Sequence, residues 1–276
     1  MTEAAPITPR PASTVLLLRD GPGGVEVLMV TRNVASDFAS GALVFPGGRV
    51  DDADRGAAML GASRPVPGAD ADAMAFRVAA VRETFEEAHM LLARPRGEDR
   101  LLSAAAVAQL ERDLATRLGR TPHLADAVDT GAIELATDLL LPFAHWITPV
   151  GPPKRFDTHF FLAPAPADQV AAHDGHEAVD TVWVAPAKAI ADSEARRVTL
   201  VFATRMNLAK LGRSTTVADA LRAARAAPVV TVCPELIDAP EGKLLRIPAA
   251  AGYGVTEMPA NLTVRAWVPR GTGTAS

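Results

Sequence analysis

The stretch that most limits how this chain can fold runs from Met74 to Ala88. Met74, Val78, Val81, Phe85 and Ala88 recur at i, i+4, i+7, i+11 and i+14, which places them in one narrow stripe of a helix turning about 100° per residue. Such a helix must lay that stripe on a sheet or on other helices. Measured from Met74, Glu86, Glu83 and Glu87 fall at about 120°, 180° and 220°, with Arg82 at the flank near about 80°. Three acids therefore share the face opposite the stripe, and that face is expected to look into solvent. Like charges at these spacings cost a helix about 0.2–0.5 kcal/mol per pair. A bound cation is the natural reason to keep them together, and hard divalent ions take oxygen ligands from such clusters.

Upstream, Ala42-Leu43-Val44-Phe45 reads as a short strand entering Pro46-Gly47-Gly48. A lone Glu-x-x-Glu-Glu is an ordinary solvated face. Preceded by this strand and turn, and with an arginine at the flank, it carries more information. Gly47-Gly48 with Arg82-Glu83-Thr84-Phe85-Glu86-Glu87 resembles the Nudix box, and the resemblance is strongest from Val15 to about Ile190. There are two departures. Arg82 lies 34 positions beyond Gly48, an insertion of about 20 residues relative to the family spacing. His89 also stands where the box has a glycine that ends the helix in the left-handed conformation, at an expected cost of about 1 kcal/mol.

The resemblance implies an α/β fold of the Nudix type, an α/β/α sandwich with a mixed central sheet, here with added helices and a C-terminal extension. It implies hydrolysis of a nucleoside diphosphate linked to another moiety, with Mg²⁺ or Mn²⁺ as cofactor. By that analogy Glu86 and Glu87 are the principal metal ligands, and Glu83 completes the shell or serves as base. Arg82, one turn from Glu86, is placed to orient that carboxylate. The Gly47 carbonyl offers a further ligand, since a residue without a side chain lets its backbone approach an ion. Gly48, Arg32 and Arg155 are candidate substrate contacts, the two arginines for phosphate. Phe38 is the candidate to stack on a base, and Glu177 is the candidate carboxylate outside the box. His173 and His176 lie beside Glu177, but the family's metals are held by oxygen.

With 276 residues, 49% of them hydrophobic, the chain can bury one large core. A net charge of −4 gives no basic field for a nucleic-acid backbone, which argues against messenger-RNA decapping. The single cysteine, Cys233, rules out an internal disulfide, fits a reducing compartment and is expected to be buried. No apolar run approaches the length that crosses a bilayer. These features lead to the expectation of a cytoplasmic protein with a small nucleotide-type substrate, no nucleic-acid or membrane partner, and a homodimer left open.

Residues 1–11 read as a flexible arm, 12–192 as the Nudix domain and 193–276 as helices and short strands packed on it. Within the domain, β-like runs at Thr14–Leu18 and Val25–Val30 flank a hairpin turn. The Asp/Ala/Gly/Pro-rich insertion, 51–71, reads as a surface loop, with Asp72 as helix cap. An added helix spans about 103–118, from the Ser103 cap to Gly119. Strands are expected at Leu139–Ile147, Phe156–Leu162, Val179–Val184, Val229–Val232, Leu244–Ile247 and Leu262–Val268. Helices are expected at Leu200–Leu211 and Val217–Ala226. Along Lys154–Phe161 charged and aromatic residues interleave, so alternate side chains should face the core and a cleft.

The inserted box, its lead-in Phe38–Gly48 and Arg155–Phe161 resemble the coenzyme A diphosphatase-like branch, whose characterised animal members are peroxisomal. Coenzyme A or an acyl-CoA is thus the expected substrate. The chain closes Gly-Thr-Ala-Ser, without a peroxisomal Ser-Lys-Leu signal. Asp37 and Ala39 stand where another coenzyme A-cleaving branch has basic and histidine positions. ADP-ribose, a dinucleotide or another nucleotide stays open as the alternative substrate, and a non-catalytic ligand-binding role as a second alternative.

Overall fold

The computed structural model describes residues 7–32, 41–172, 178–240 and 242–260. Strands β1 (Arg10–Gly21) and β2 (Gly24–Arg32) form a hairpin turned at Pro22-Gly23, with Gly24 at φ 119°. Val15, Leu16, Leu17 and Leu18 are all buried. A run of four apolar residues without alternation suits a strand covered on both faces. β1 begins at Arg10, so the last two residues of the expected arm, Arg10 and Pro11, pair in parallel with Phe156 and Asp157. Main-chain hydrogen bonds decide that pairing, and composition does not reveal it.

β3 (Leu43–Val44) pairs with β2, and β4 (Gly47–Arg49) pairs with the first half of β1, setting Gly48 opposite Ser13. The insertion differs from the loop expected. It holds a 3-10 turn (Asp52–Arg55) and helix α1 (Ala57–Gly61), and it buries Asp54, Met59 and Ala62. Its few apolar residues cannot make a core of their own, but they extend the one under α2 (Ala71–Ala88). The cap of α2 is Asp70, whose side chain accepts from the Ala73 N–H at 2.8 Å. The helix starts sooner than expected, so Asp72 lies in its first turn and pairs with Arg55 at the surface.

β5 (Ala93–Pro95) and β6 (Ile133–Leu135) pair as a ribbon, with α3 (Ala104–Leu118) and α4 (Leu124–Val128) between them. The Ser103 cap and the Gly119 stop, at φ 68°, are as the sequence indicates. β7 (Leu141–Ile147) runs antiparallel to β8 (Phe156–Pro164), and β8 lies parallel to β1. β7 starts after a 3-10 turn at Thr137–Leu139, two residues later than expected. β9 (Ala178–Val184) joins β2, and Pro186 opens α5 (Pro186–Glu194).

Then come α6 (Phe202–Leu211), α7 (Val217–Ala226) and β10 (Thr231–Val232), the last beside β7. α6 is shorter by two residues than expected, and so is β10. β11 (Glu235–Ala239), β12 (Gly242–Arg246) and β13 (Glu257–Pro259) make a small second sheet. The strand expected at 262–268 lies outside the described residues. Cys233 is exposed rather than buried, because it follows the last residue paired into the main sheet.

The main sheet is mixed, in the order β10-β7-β8-β1-β2-β3, with β4 on β1 and β9 on β2. On one face Val78, Val81, Phe85 and Ala88 of α2 meet Val15, Leu17, Leu28 and Phe161. On the other, Phe202, Met206 and Leu211 of α6 and Ala220 of α7 meet Leu16, Val27, Met29 and Leu162. Leu245, Ile247 and Tyr253 join that second core, which ties the C-terminal part to the same body. This is the expected three-layer sandwich. Burying each large side chain contributes about 1.5–3 kcal/mol, so the stripe of α2, and not its helix propensity, holds the glutamates in place.

Candidate active site

α2 carries the glutamates from its apolar underside to a covered edge. Its C-terminus ends at His89, which takes φ 51° and whose N–H donates to the Phe85 carbonyl at 2.9 Å. The His89 Nδ1 stands 3.2 Å from Glu111 Oε1 on α3. Histidine thus fills the left-handed stop that a glycine would take more easily.

The face opposite the stripe is not open to solvent as its helical angle suggests. Glu83 is 8% exposed and Glu87 3%, because the Gly47-Gly48 turn sits on them. The Gly47 N–H donates to Glu87 Oε2 at 2.9 Å. A side chain on either glycine would break this seat. A Cβ on Gly48 would stand 2.4 Å from Glu83 Oε1, and one on Gly47 would stand 2.4 Å from the Ser13 carbonyl oxygen.

Arg82 binds the cluster together. Its Nη1 donates to Glu83 Oε1 at 2.9 Å and to Glu86 Oε2 at 3.0 Å. Its Nε and Nη2 grip Asp54 at 2.9 and 3.0 Å, and Nη2 also donates to the Arg49 carbonyl at 2.8 Å. Burial alone would lower the guanidinium pKa; the Asp54 hydrogen bonds and the charges of Glu83, Asp54 and Glu86 outweigh it and hold the pKa above its ordinary value. Arg82 thus orients Glu86, as the spacing implied, and Glu83 as well.

Sequence reasoning missed Asp54, which is fully buried. The only signal was the Asp51-Asp52-Ala53-Asp54 run just after the turn, which by composition is a loop. It also missed His123, whose Nδ1 lies 3.5 Å from Glu86 Oε1. α3, expected only as an added helix, and the start of α4 bring Glu111 and His123 to the cleft wall.

That cleft encloses about 1310 Å³. The three glutamates, Arg82, Gly47 and Gly48 line it, and Arg10, Arg32, Arg49 and Lys154 add positive charge to its wall. Arg32 lines this cleft, with a buried Nε that has no hydrogen-bond partner among the described residues. Arg155 does not. It is 8% exposed, and its guanidinium donates to the carbonyls of Thr148, Pro149 and Ile7 at 2.7–3.1 Å. It clamps the β7–β8 turn to the start of the described chain, so its role as a phosphate contact is withdrawn. Along β8 the alternation holds: Phe156, Thr158 and Phe160 face the cleft. His159 and Phe161 turn to the α2 face, against Phe76 and Arg77. Phe38, Glu177, His173 and His176 lie outside the described residues.

The donor set fits a hard divalent ion, with Glu83 and Glu87 beneath a turn that admits no side chain, Glu86 beside them on Arg82, and that arginine balancing part of their charge. A mixed sheet between two helical layers, with this strand, turn and glutamate helix at one edge, defines the Nudix fold. The NUDT19 Nudix domain model matches residues 61–211, and the chain belongs to that family. Among its relatives, the acyl-coenzyme A diphosphatase NUDT19 of Gallus gallus is 30% identical over 251 residues, 66% of this chain and 62% of that protein. The Homo sapiens protein of the same name is 30% identical over 210 residues, 60% of this chain and 55% of that protein. The chain therefore spans about three-fifths of these relatives' length. Among solved structures, a NUDIX hydrolase from Alicyclobacillus acidocaldarius superposes with a TM-score of 0.61 at 27% identity, covering 81% of this chain and 98% of that one.

Proposed function

We propose that this chain is a metal-dependent Nudix pyrophosphohydrolase that cleaves coenzyme A or an acyl-CoA to phosphopantetheine and 3′,5′-ADP. The observation that carries the reaction class is the grouping of Glu83 and Glu86 on Arg82 with Glu87 against the Gly47 N–H of the Gly47-Gly48 turn. The names of the two NUDT19 relatives support the substrate class. Glu86 and Glu87 are the principal ligands for Mg²⁺ or Mn²⁺, with Glu83 completing the shell or acting as base and the Gly47 carbonyl as a further donor. Bound there, the ion neutralises phosphate charge and makes a water nucleophilic. Arg82 keeps the Glu83 and Glu86 carboxylates aimed, and the buried turn keeps bulk water off Glu87.

Substrate fit rests on the cleft's two kinds of wall. Arg10, Arg32, Arg49 and Lys154 suit phosphates, the arginines because a guanidinium binds them in a bidentate way and Arg32 foremost because its buried Nε has no hydrogen-bond partner among the described residues. Trp146, Phe156, Phe160 and Phe202 offer apolar surface to a base or a pantetheine arm. The space exceeds the roughly 300–1,000 Å³ of ordinary small-molecule pockets, as a long two-ended ligand requires. The protein's setting in this reading is the cytoplasm. No helix among the described residues is long and apolar enough to cross a membrane.

The test is a panel of coenzyme A, acetyl-CoA, ADP-ribose, a dinucleoside polyphosphate and nucleoside triphosphates, each with Mg²⁺ or Mn²⁺. Faster turnover of the CoA species than of every other compound is expected. Preference for ADP-ribose or a dinucleotide would reassign the substrate, and no turnover of any would leave a binding module.

A further inference from the structure

A second cluster lies on the other face of β7 and β8 from the cleft, and the proposed hydrolysis does not use it. His145 and His159 are directly opposed across the antiparallel pair, and Asp157 precedes His159 by two residues on the same face. The two imidazole rings stack with centroids 4.2 Å apart. His145 Nε2 is bonded to Asp157 Oδ1, and His145 Nδ1 lies 2.8 Å from Thr231 Oγ1 on β10. One donor atom from each of His145, Asp157 and His159 lies within 4.8 Å of the others. Phe76 of α2 packs on the His159 ring at 4.1 Å and fixes one wall. The opposite side is open, with the Asp157 side chain 35% exposed and that of His145 17%.

We propose that His145, Asp157 and His159 form a site for a borderline-soft transition-metal ion, Zn²⁺ foremost, separate from the Nudix box. Two imidazoles and one carboxylate make the two-nitrogen, one-oxygen donor set that Zn²⁺ takes in tetrahedral sites, with water in the fourth position. Mg²⁺ prefers oxygen alone, so the all-carboxylate box and this cluster select different ions. Donors about 2.1 Å from a tetrahedral ion stand about 3.4 Å apart, so the widest-set donors would close by up to about 1.4 Å while the hydrogen-bonded His145 Nε2 and Asp157 Oδ1 would part to admit the ion. Thr231 is placed to hold the proton on His145 Nδ1, leaving Nε2 as the ligand atom, which is the task of an outer hydrogen-bond partner at a metal. The site clamps β7 to β8, whose alternate side chains Trp146, Thr158 and Phe160 line the substrate cleft. Phe76 precedes Glu83 by about two helical turns, about 10 Å along α2, so the two sites are distinct.

The test is Zn²⁺ titration of the chelator-stripped chain, followed by calorimetry in millimolar Mg²⁺ so that the box is occupied, with Co²⁺ absorption as a second readout. One equivalent of Zn²⁺ with micromolar or tighter affinity is expected, a rise in Tm on binding, and the strong visible bands of a four- or five-coordinate Co²⁺ ion. Asp157→Asn preserves size and should weaken Zn²⁺ binding at least tenfold with the metal-free Tm little changed. His159→Asn, which also loses the Phe76 contact, should do the same to binding at a lower Tm. Absence of Zn²⁺ uptake by the wild-type chain, or uptake unchanged in Asp157→Asn, overturns the site.

Discussion

Asp54 grips Arg82 with both carboxylate oxygens, Oδ1 at 2.9 Å from Nε and Oδ2 at 3.0 Å from Nη2, although the two residues are separated by most of the insertion. The inserted segment is therefore not a neutral excursion: it supplies the buried counter-charge for the arginine that aims Glu83 and Glu86. Breaking a buried pair by removing one partner leaves an uncompensated charge, at about 3–5 kcal/mol. Asp54→Ala is expected to lose stability in that range, and Asp54→Asn to lower kcat at least tenfold because Arg82 is held less firmly. Denaturant melts and steady-state kinetics check both. Wild-type kcat in Asp54→Asn would mean that Arg82 needs no such hold.

Glu86→Gln and Glu87→Gln should each remove most turnover and leave the Tm close to that of the wild type. Glu86 is partly exposed, and glutamine at 87 can still accept the Gly47 N–H. Thermal melts beside turnover assays check this, and near-wild-type turnover in either variant would contradict the assigned ligands.

The two turn glycines should fail differently. At Gly48 the atom in the way is the far end of the Glu83 side chain, which can swing aside, so Gly48→Ala should fold but lose activity and bind Mn²⁺ more weakly. At Gly47 the obstacle is the backbone carbonyl of Ser13, which cannot, so Gly47→Ala should lose about 1–3 kcal/mol by displacing the strand pair. Melting curves and Mn²⁺ titrations of the two variants separate these outcomes.

Much of this was legible in the sequence because it depends on local pattern. The stripe from Val78 to Ala88, the Ser103 cap, the Gly119 stop and the Gly-Gly turn all follow from spacing and backbone preference. The rest depends on contacts between distant residues. Helical angle placed Glu83 and Glu87 opposite the core but gave no sign that a turn 40 residues upstream covers Glu87. An Asp/Ala/Gly/Pro segment reads as loop because its composition cannot show that Asp54 meets a buried arginine. Arg155 and Lys154 are equivalent as sequence, and only the turn entering β8 sends Lys154 to the cleft wall and Arg155 inward.

Arg155→Ala should accordingly act on stability, removing hydrogen bonds to three carbonyls at a cost of about 1–3 kcal/mol. Its KM for coenzyme A relative to dephospho-coenzyme A should stay that of the wild type. Arg32→Ala should raise KM for both and spare Tm. A selective loss of coenzyme A affinity in Arg155→Ala would return that residue to the cleft.

Product analysis of coenzyme A incubated with the chain and Mg²⁺ or Mn²⁺ tests the central claim most directly. Expected are 3′,5′-ADP and 4′-phosphopantetheine in equal amounts, abolished by a chelator and by Glu86→Gln. Coenzyme A left intact under conditions where ADP-ribose is split, or products that form without a divalent ion, would contradict the account.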